Sequence, residues 1–229
     1  MRLIEKSNPP QSLTIYKRKI VPKPNYTRKK DETLQPNYYN DFRDKDDIRE
    51  SLLDEQGYLC SYCMSRINKE SMKIEHWASQ SEHPELELDY KNMLGVCLGN
   101  KGRPYDEQCC DTHRGNQELT VNPTKVHTLA SIKYRGNGII YSDIETINKD
   151  LNITLNLNIN YLKESRKRIL ADLLEMLNKK NKKEEWTEST LRKALKTYAE
   201  RNSDNKLIPH CEVAIAFIKK RLRKFHYHT

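Results

Sequence analysis

Five of the six cysteines stand in the middle of the chain, as Cys60-Ser-Tyr-Cys63, Cys97 and Cys109-Cys110, and Glu75-His76 and Asn92 lie between them, with Asp111 and His113 following. Two thiolates separated by two residues can reach one ion, and zinc favours four such soft ligands in a closed structural site. Cys60, Cys63, Cys97 and Cys110 make that set. Cys109 is the alternative to Cys110, because the insertion Leu98 to Cys109 separates the last pair from Cys97. Ordinary buried thiols are the competing reading of the same residues, and the distant Cys211 reads as core. The remaining side chains suit a different ion. An imidazole with a pKa of about 6.5 can take a proton from water, and carboxylates offer the hard oxygens that Mg²⁺ or Mn²⁺ prefers over thiolates.

The composition of the 229 residues fits that chemistry. With 41 Lys and Arg against 32 Asp and Glu, the net charge of +9 favours a polyanion, since each phosphate contact releases condensed counterions. A solvated basic surface is the plain alternative. Only 36% of residues are hydrophobic, so some segments must be held by metal or docked on a partner. Met1 to Pro10 holds no apolar signal region, and no window approaches the roughly 18 apolar residues of a membrane span. A cytoplasmic protein with no membrane contact is expected, where clustered cysteines bind metal rather than pair as disulfides.

Several elements must position these groups. Residues 1–43 carry Pro9, Pro10, Pro22, Pro24 and Pro36 among basic residues and read as an extended arm with little helix. Tyr16, Tyr26, Tyr38 and Tyr39 in that arm could stack on bases or sit at a protein interface. Ile48, Leu52 and Leu53 recur at helical spacing ahead of Gly57, so a helix delivers the chain into Cys60. Gly136-Asn137-Gly138, flanked by Ile132, Tyr134, Ile139 and Tyr141, predicts a hairpin. Three helices follow: one capped by Asn160, one capped by Thr187 with Trp186 and Leu191 as a staple, and one with Pro209 in its first turn. No internal repeat is present. His83, His127, His210, His226 and His228 lie outside the cluster and read as surface or core histidines.

The order Cys60-x-x-Cys63, Glu75-His76, Asn92, Cys97 and Cys110-Asp111 resembles the ββα-metal (HNH) endonucleases. With Leu88-Asp89-Tyr90-Lys91-Asn92, Cys110 through Asn116 to Asn122-Pro123, and Leu155-Asn156-Leu157-Asn158 before Leu162 and Arg166, the chain is most similar to the family encoded with retrons and in Septu antiviral systems, the PtuB proteins. The likeness covers most of residues 45–175. It implies an α+β fold with a zinc-stabilised ββα-metal core over 44–125, an extended N-terminal arm over 1–43, and a hairpin with a helical region over 126–229. It implies phosphodiester hydrolysis, which needs an activated water, a cation on the scissile phosphate and relief of charge on the leaving oxygen. His76 takes the role of general base, Glu75 and Asp111 hold Mg²⁺ or Mn²⁺, Asn92 steadies the loop between the strands, and Arg114 grips the cleaved phosphate. Common HNH enzymes place a His directly after the last Cys; Asp111 holds that position here and ranks above His113. An ABC-type ATPase (PtuA-like) in a hetero-oligomer, and in retron settings a reverse transcriptase with its noncoding RNA and DNA, are the implied partners. DNA, transfer RNA and other RNA remain open as the nucleic-acid substrate. A non-catalytic zinc module or adaptor would explain the cysteines and the charge, but gives no reason for Glu75-His76 with Asp111.

Overall fold

A computed structural model describes residues 1–20, 38–179 and 186–226. Pro22, Pro24, Tyr26, Arg28, Lys29, Lys30 and Pro36 of the arm, Lys180 to Lys183 of the charged stretch expected to connect the first two of the three C-terminal helices, and His228 fall outside the described residues. The structure is mixed: mostly helical, with two small antiparallel sheets.

The arm departs from the extended reading. Helix α1 spans Gln11–Lys19 and a short α2 spans Tyr38–Asp41. No proline falls within 11–19, and Pro10 stands just before the helix, where a missing N–H costs nothing. Burial then fixes it: Leu13 is fully inside, and the Tyr16 ring meets Phe42 at 5.0 Å between centroids. Helix α3 (Lys45–Glu55) buries Ile48, Leu52 and Leu53 as their spacing predicts, and Gly57 follows with a φ of 58°.

Strands β1 (Met72–His76) and β2 (Met93–Cys97) pair antiparallel, with Met72 opposite Cys97 and His76 opposite Met93. Gln56, at the end of α3, pins this sheet: its amide donates to the carbonyls of Gly95 and Leu59, both at 2.7 Å, and its oxygen accepts from the Gly95 N–H. A Cβ on Gly95 would stand 2.9 Å from Met72 and 3.1 Å from the Gln56 amide, so this close approach requires glycine. Helix α4 (Cys110–Arg114) packs on β2.

Beyond it lie α5 (Val126–Leu129) and the predicted hairpin, formed by β3 (Ile132–Tyr134) and β4 (Ile140–Ser142), with Gly138 at φ 81° in the turn. Helix α6 (Glu145–Lys149) runs into a π turn over Asp150–Thr154. The strap Leu155-Asn156-Leu157-Asn158 buries both leucines, and its asparagines bond the carbonyls of Asp106, Gln108 and Ile140.

Helices α7 (Asn160–Asn178), α8 (Glu188–Ala199) and α9 (Cys211–His226) surround a second apolar cluster, to which Leu59 and Met64 of the first cysteine turn contribute. Cys211 is buried in that cluster. The Thr187 hydroxyl caps α8 by accepting from the Thr190 N–H, with Trp186 and Leu191 buried on either side of the cap. Two boundaries differ from the sequence reading. Ile159, not Asn160, occupies the cap position of α7, without a side-chain cap, and α9 begins at Cys211, so Pro209 precedes the helix. Among the described residues no helix is long and apolar enough to cross a membrane.

Candidate metal centre

The first cysteine turn is fastened to the sheet. The Ser61 N–H donates to the Gly95 carbonyl, the Cys60 N–H to Ser65, and the Met64 N–H back to Cys60, which closes a tight turn with Met64 at φ 64°. The second group hangs from Gly99, whose carbonyl accepts from the Cys109 N–H and whose Cβ would collide with the Cys109 oxygen at 2.2 Å. Cys110 adopts φ 56°, uncommon for a side chain, and its N–H is held by the Leu155 carbonyl at 2.8 Å.

These anchors bring Cys60, Cys63, Cys97 and Cys110 together, each sulfur within 4.8 Å of the others. Cys60 and Cys110 stand 3.9 Å apart, and Cys63 and Cys97 3.7 Å. A tetrahedron with zinc–sulfur bonds of about 2.3 Å has edges of roughly 3.8 Å. The cluster could thus hold a metal ion and is compatible with zinc. Cys109 lies at the edge of this set and outside the four: its sulfur contacts the Tyr161 hydroxyl at 3.0 Å and also reaches the thiols of Cys97 and Cys110.

On the other side of the same short helix lies an oxygen-rich group. Alternation along β1 puts Lys73 and Glu75 on one face, and there they meet Asp111 of α4: the Glu75 and Asp111 carboxyls hydrogen-bond each other, and Lys73 forms an ion pair with Asp111 and donates to the Thr112 hydroxyl at 2.7 Å. Burial, then the shared hydrogen bond with Asp111, pushes Glu75 well above the usual carboxylate range. Burial also opposes ionisation of Asp111, but the hydrogen bonds from Glu75 and Lys73 outweigh it and hold that carboxyl low. Two hard carboxylates this close suit an oxygen-preferring divalent ion, which would replace the proton between them.

Arg114 sits beneath. Its guanidinium, 1% exposed, pairs with Glu75 and donates to the Trp77 carbonyl at 2.6 Å and, through Nε, to the Gln117 carbonyl at 2.6 Å. The phosphate-gripping role expected of Arg114 finds no support here, because the side chain is sealed inside. His113 also points elsewhere, with Nδ1 at 3.0 Å from the Thr154 carbonyl and its ring stacked on Tyr105 at 4.0 Å.

His76 ends β1. Its Nε2 lies 2.9 Å from the Glu87 carbonyl, which only accepts, so this nitrogen carries the proton and Nδ1 keeps its lone pair. Among the described residues Nδ1 meets no hydrogen-bonding partner. Burial lowers the His76 pKa, which favours the neutral ring. Asn92 clamps the loop that follows: its oxygen accepts from the Ala78 N–H at 2.8 Å, its amide donates to the Ala78 carbonyl at 2.9 Å, and its own carbonyl accepts from Trp77. A cleft of ≈ 350 Å³ opens beside this loop, lined by Trp77, Ala78 and Asn92 with Lys91 and Lys125.

The sequence reading offered Tyr39 for base stacking or a protein interface and missed its place at the site: its ring stands edge-on to His76 at 4.6 Å while its N–H bonds the Glu87 carboxylate. Nothing local links residues 39 and 76. It also missed Lys73, although the alternation Lys73-x-Glu75 of a strand signals a shared face.

No family model matches the chain. Over 79 residues, 34% of this chain, it is 30% identical to the Septu protein PtuB of Bacillus thuringiensis. The match spans 28% of that protein's length, and supports a Septu-related family.

Proposed function

We propose that this chain is an HNH-type endonuclease that hydrolyses nucleic-acid phosphodiester bonds, with the nuclease core in residues 44–125. The observation that carries the reading is the fixed tautomer of His76, which leaves a lone pair at Nδ1 on the strand that also carries Glu75 toward Asp111. In this reading His76 takes the proton of the attacking water, and Asn92 holds the chain that follows so that the ring stays oriented. Held by Glu75 and Asp111, Mg²⁺ or Mn²⁺ would polarise the phosphate and offset charge on the leaving oxygen. Zinc at the four cysteines would tie the Cys60–Cys63 turn, the end of β2 and α4 together. Arg114 neutralises Glu75 from below, a positioning task in place of a phosphate contact.

The likeness to a Septu protein supports a role in anti-phage defence, with an ABC-type ATPase of PtuA type as the partner that restrains the nuclease, and the net charge of +9 suits a polyanionic substrate. A retron reverse transcriptase and its nucleic acid would join in some systems. A second reading, a zinc module without catalysis, is favoured by two features: Tyr39 covers His76, and Arg114 and Lys73 each pair with one of the two carboxyls. Incubation of the purified protein and its ATPase assembly with labelled DNA and RNA pools in Mg²⁺ or Mn²⁺ separates the two. Cleavage that disappears in His76→Ala at unchanged zinc content supports the nuclease; cleavage that persists in the variant removes His76 as base.

A further inference from the structure

We infer that Lys73 is the phosphate-contacting cation of this site and that it competes with the divalent ion for Asp111. The inference rests on the nuclease reading above. Among the described residues two cations touch the carboxyl pair, and their surroundings differ. Arg114 is enclosed, and its donors are committed to Glu75 and to the carbonyls of Trp77 and Gln117. Lys73 reaches the same pair from the solvent side: its side chain is 29% exposed, against 20% for Asp111 and 8% for Glu75. A phosphate approaching Glu75 and Asp111 from water therefore meets the ammonium of Lys73, and the guanidinium of Arg114 stays behind the carboxyls.

The ammonium is also movable in a way the guanidinium is not. Lys73 ends in a compact charge on a flexible stem, and its neighbours are one carboxylate and the Thr112 hydroxyl, which is itself tied to the Leu98 carbonyl at 2.9 Å. A divalent ion seated on Asp111 repels this ammonium at close range. Rotation of the stem carries the charge toward solvent, where a non-bridging phosphate oxygen can accept from it. The partner on Asp111 is thereby exchanged, with no bond made or broken, and one residue serves two steps. It lowers the affinity of the acid pair for a cation by itself, and it favours the ion and the substrate arriving together.

Mn²⁺ binding to the full chain, read by electron paramagnetic resonance with the cysteine cluster loaded, tests this without relying on turnover. Lys73→Met should bind Mn²⁺ roughly tenfold tighter, because one positive charge leaves the ion's immediate surroundings. The same variant should raise the KM for the cleaved nucleic acid more than it lowers kcat, and Lys73→Arg should recover much of the KM. Lys73→Gln gives the same test if the methionine variant folds poorly. Mn²⁺ affinity unchanged or weakened in both variants overturns the role of Lys73, and the nuclease reading stands as long as Asp111→Asn still abolishes binding in the wild-type background. Mn²⁺ binding indifferent to Asp111→Asn overturns the inference together with the acid pair as a cation site.

Discussion

One five-residue helix serves two groups of opposite character. Cys110 joins three other sulfurs, with Cys60 and Cys110 3.9 Å apart and Cys63 and Cys97 3.7 Å apart, whereas its neighbour Asp111 joins Glu75 and Lys73. The sulfur group is largely buried, with Cys97 half-buried at its edge, and is held by backbone bonds to Gly95, Gly99 and Leu155. The oxygen group is held by side chains, reaches water through Lys73 and Asp111, and keeps its balance by ion pairs. Soft ligands in a backbone cage suit an ion that stays; hard ligands with exchangeable partners suit one that works. Position in the chain does not separate the two groups. Ligand chemistry and the means of support do.

The comparison breaks most visibly at the cysteines. Cys60→Ser should lose the metal and, with it, cooperative thermal unfolding of the middle of the chain, since structural zinc contributes on the order of 10 kcal/mol in small zinc domains; elemental analysis with a melting curve reads both. His76→Ala should leave that melt intact while lowering cleavage by about 10² to 10⁴, the usual contribution of a general base. Arg114→Met should cost about 3–5 kcal/mol in a denaturant titration, because Glu75 and the buried carbonyls of Trp77 and Gln117 would each lose a donor. A smaller effect of Arg114→Met would show that the support below the oxygen group is dispensable.

The gentlest test concerns acid. His210, buried beside α9, is lowered to about 4, chiefly by burial. The unfolded chain binds this proton near pH 6.5 and the folded chain only near pH 4, so the stabilisation is complete above about 6.5 and is lost as pH falls through that window. The loss should approach roughly 3 kcal/mol, and His210→Gln should flatten the curve between pH 7 and 4. His76 shifts in the same direction, so cleavage should fall on the acid side below neutrality, as its ring takes a proton.

Much of this was legible in the residues themselves. The residue types and spacing pointed to Cys60, Cys63 and Cys97 with one of the adjacent Cys109 and Cys110, the periodicity of Ile48, Leu52 and Leu53 foretold α3, and Gly136-Asn137-Gly138 foretold the hairpin. Helix α1 escaped notice because prolines on both sides suggested extension, while its stability comes from Leu13 entering a core assembled by distant elements. The inward turn of Arg114 was hidden for the same reason: its partners Glu75 and Trp77 are 39 and 37 residues away. Cys109 and Cys110 look equivalent in the chain, and Tyr161 tells them apart only in space.

Anomalous diffraction from a crystal grown with Mn²⁺ tests the sorting of two ions most directly, with data collected at the zinc and manganese edges. A zinc peak is expected at the centre of Cys60, Cys63, Cys97 and Cys110, and a separate manganese peak between Glu75 and Asp111 with the Lys73 ammonium displaced. Manganese absent from the acid pair, or zinc occupying it, would refute this division between the two groups.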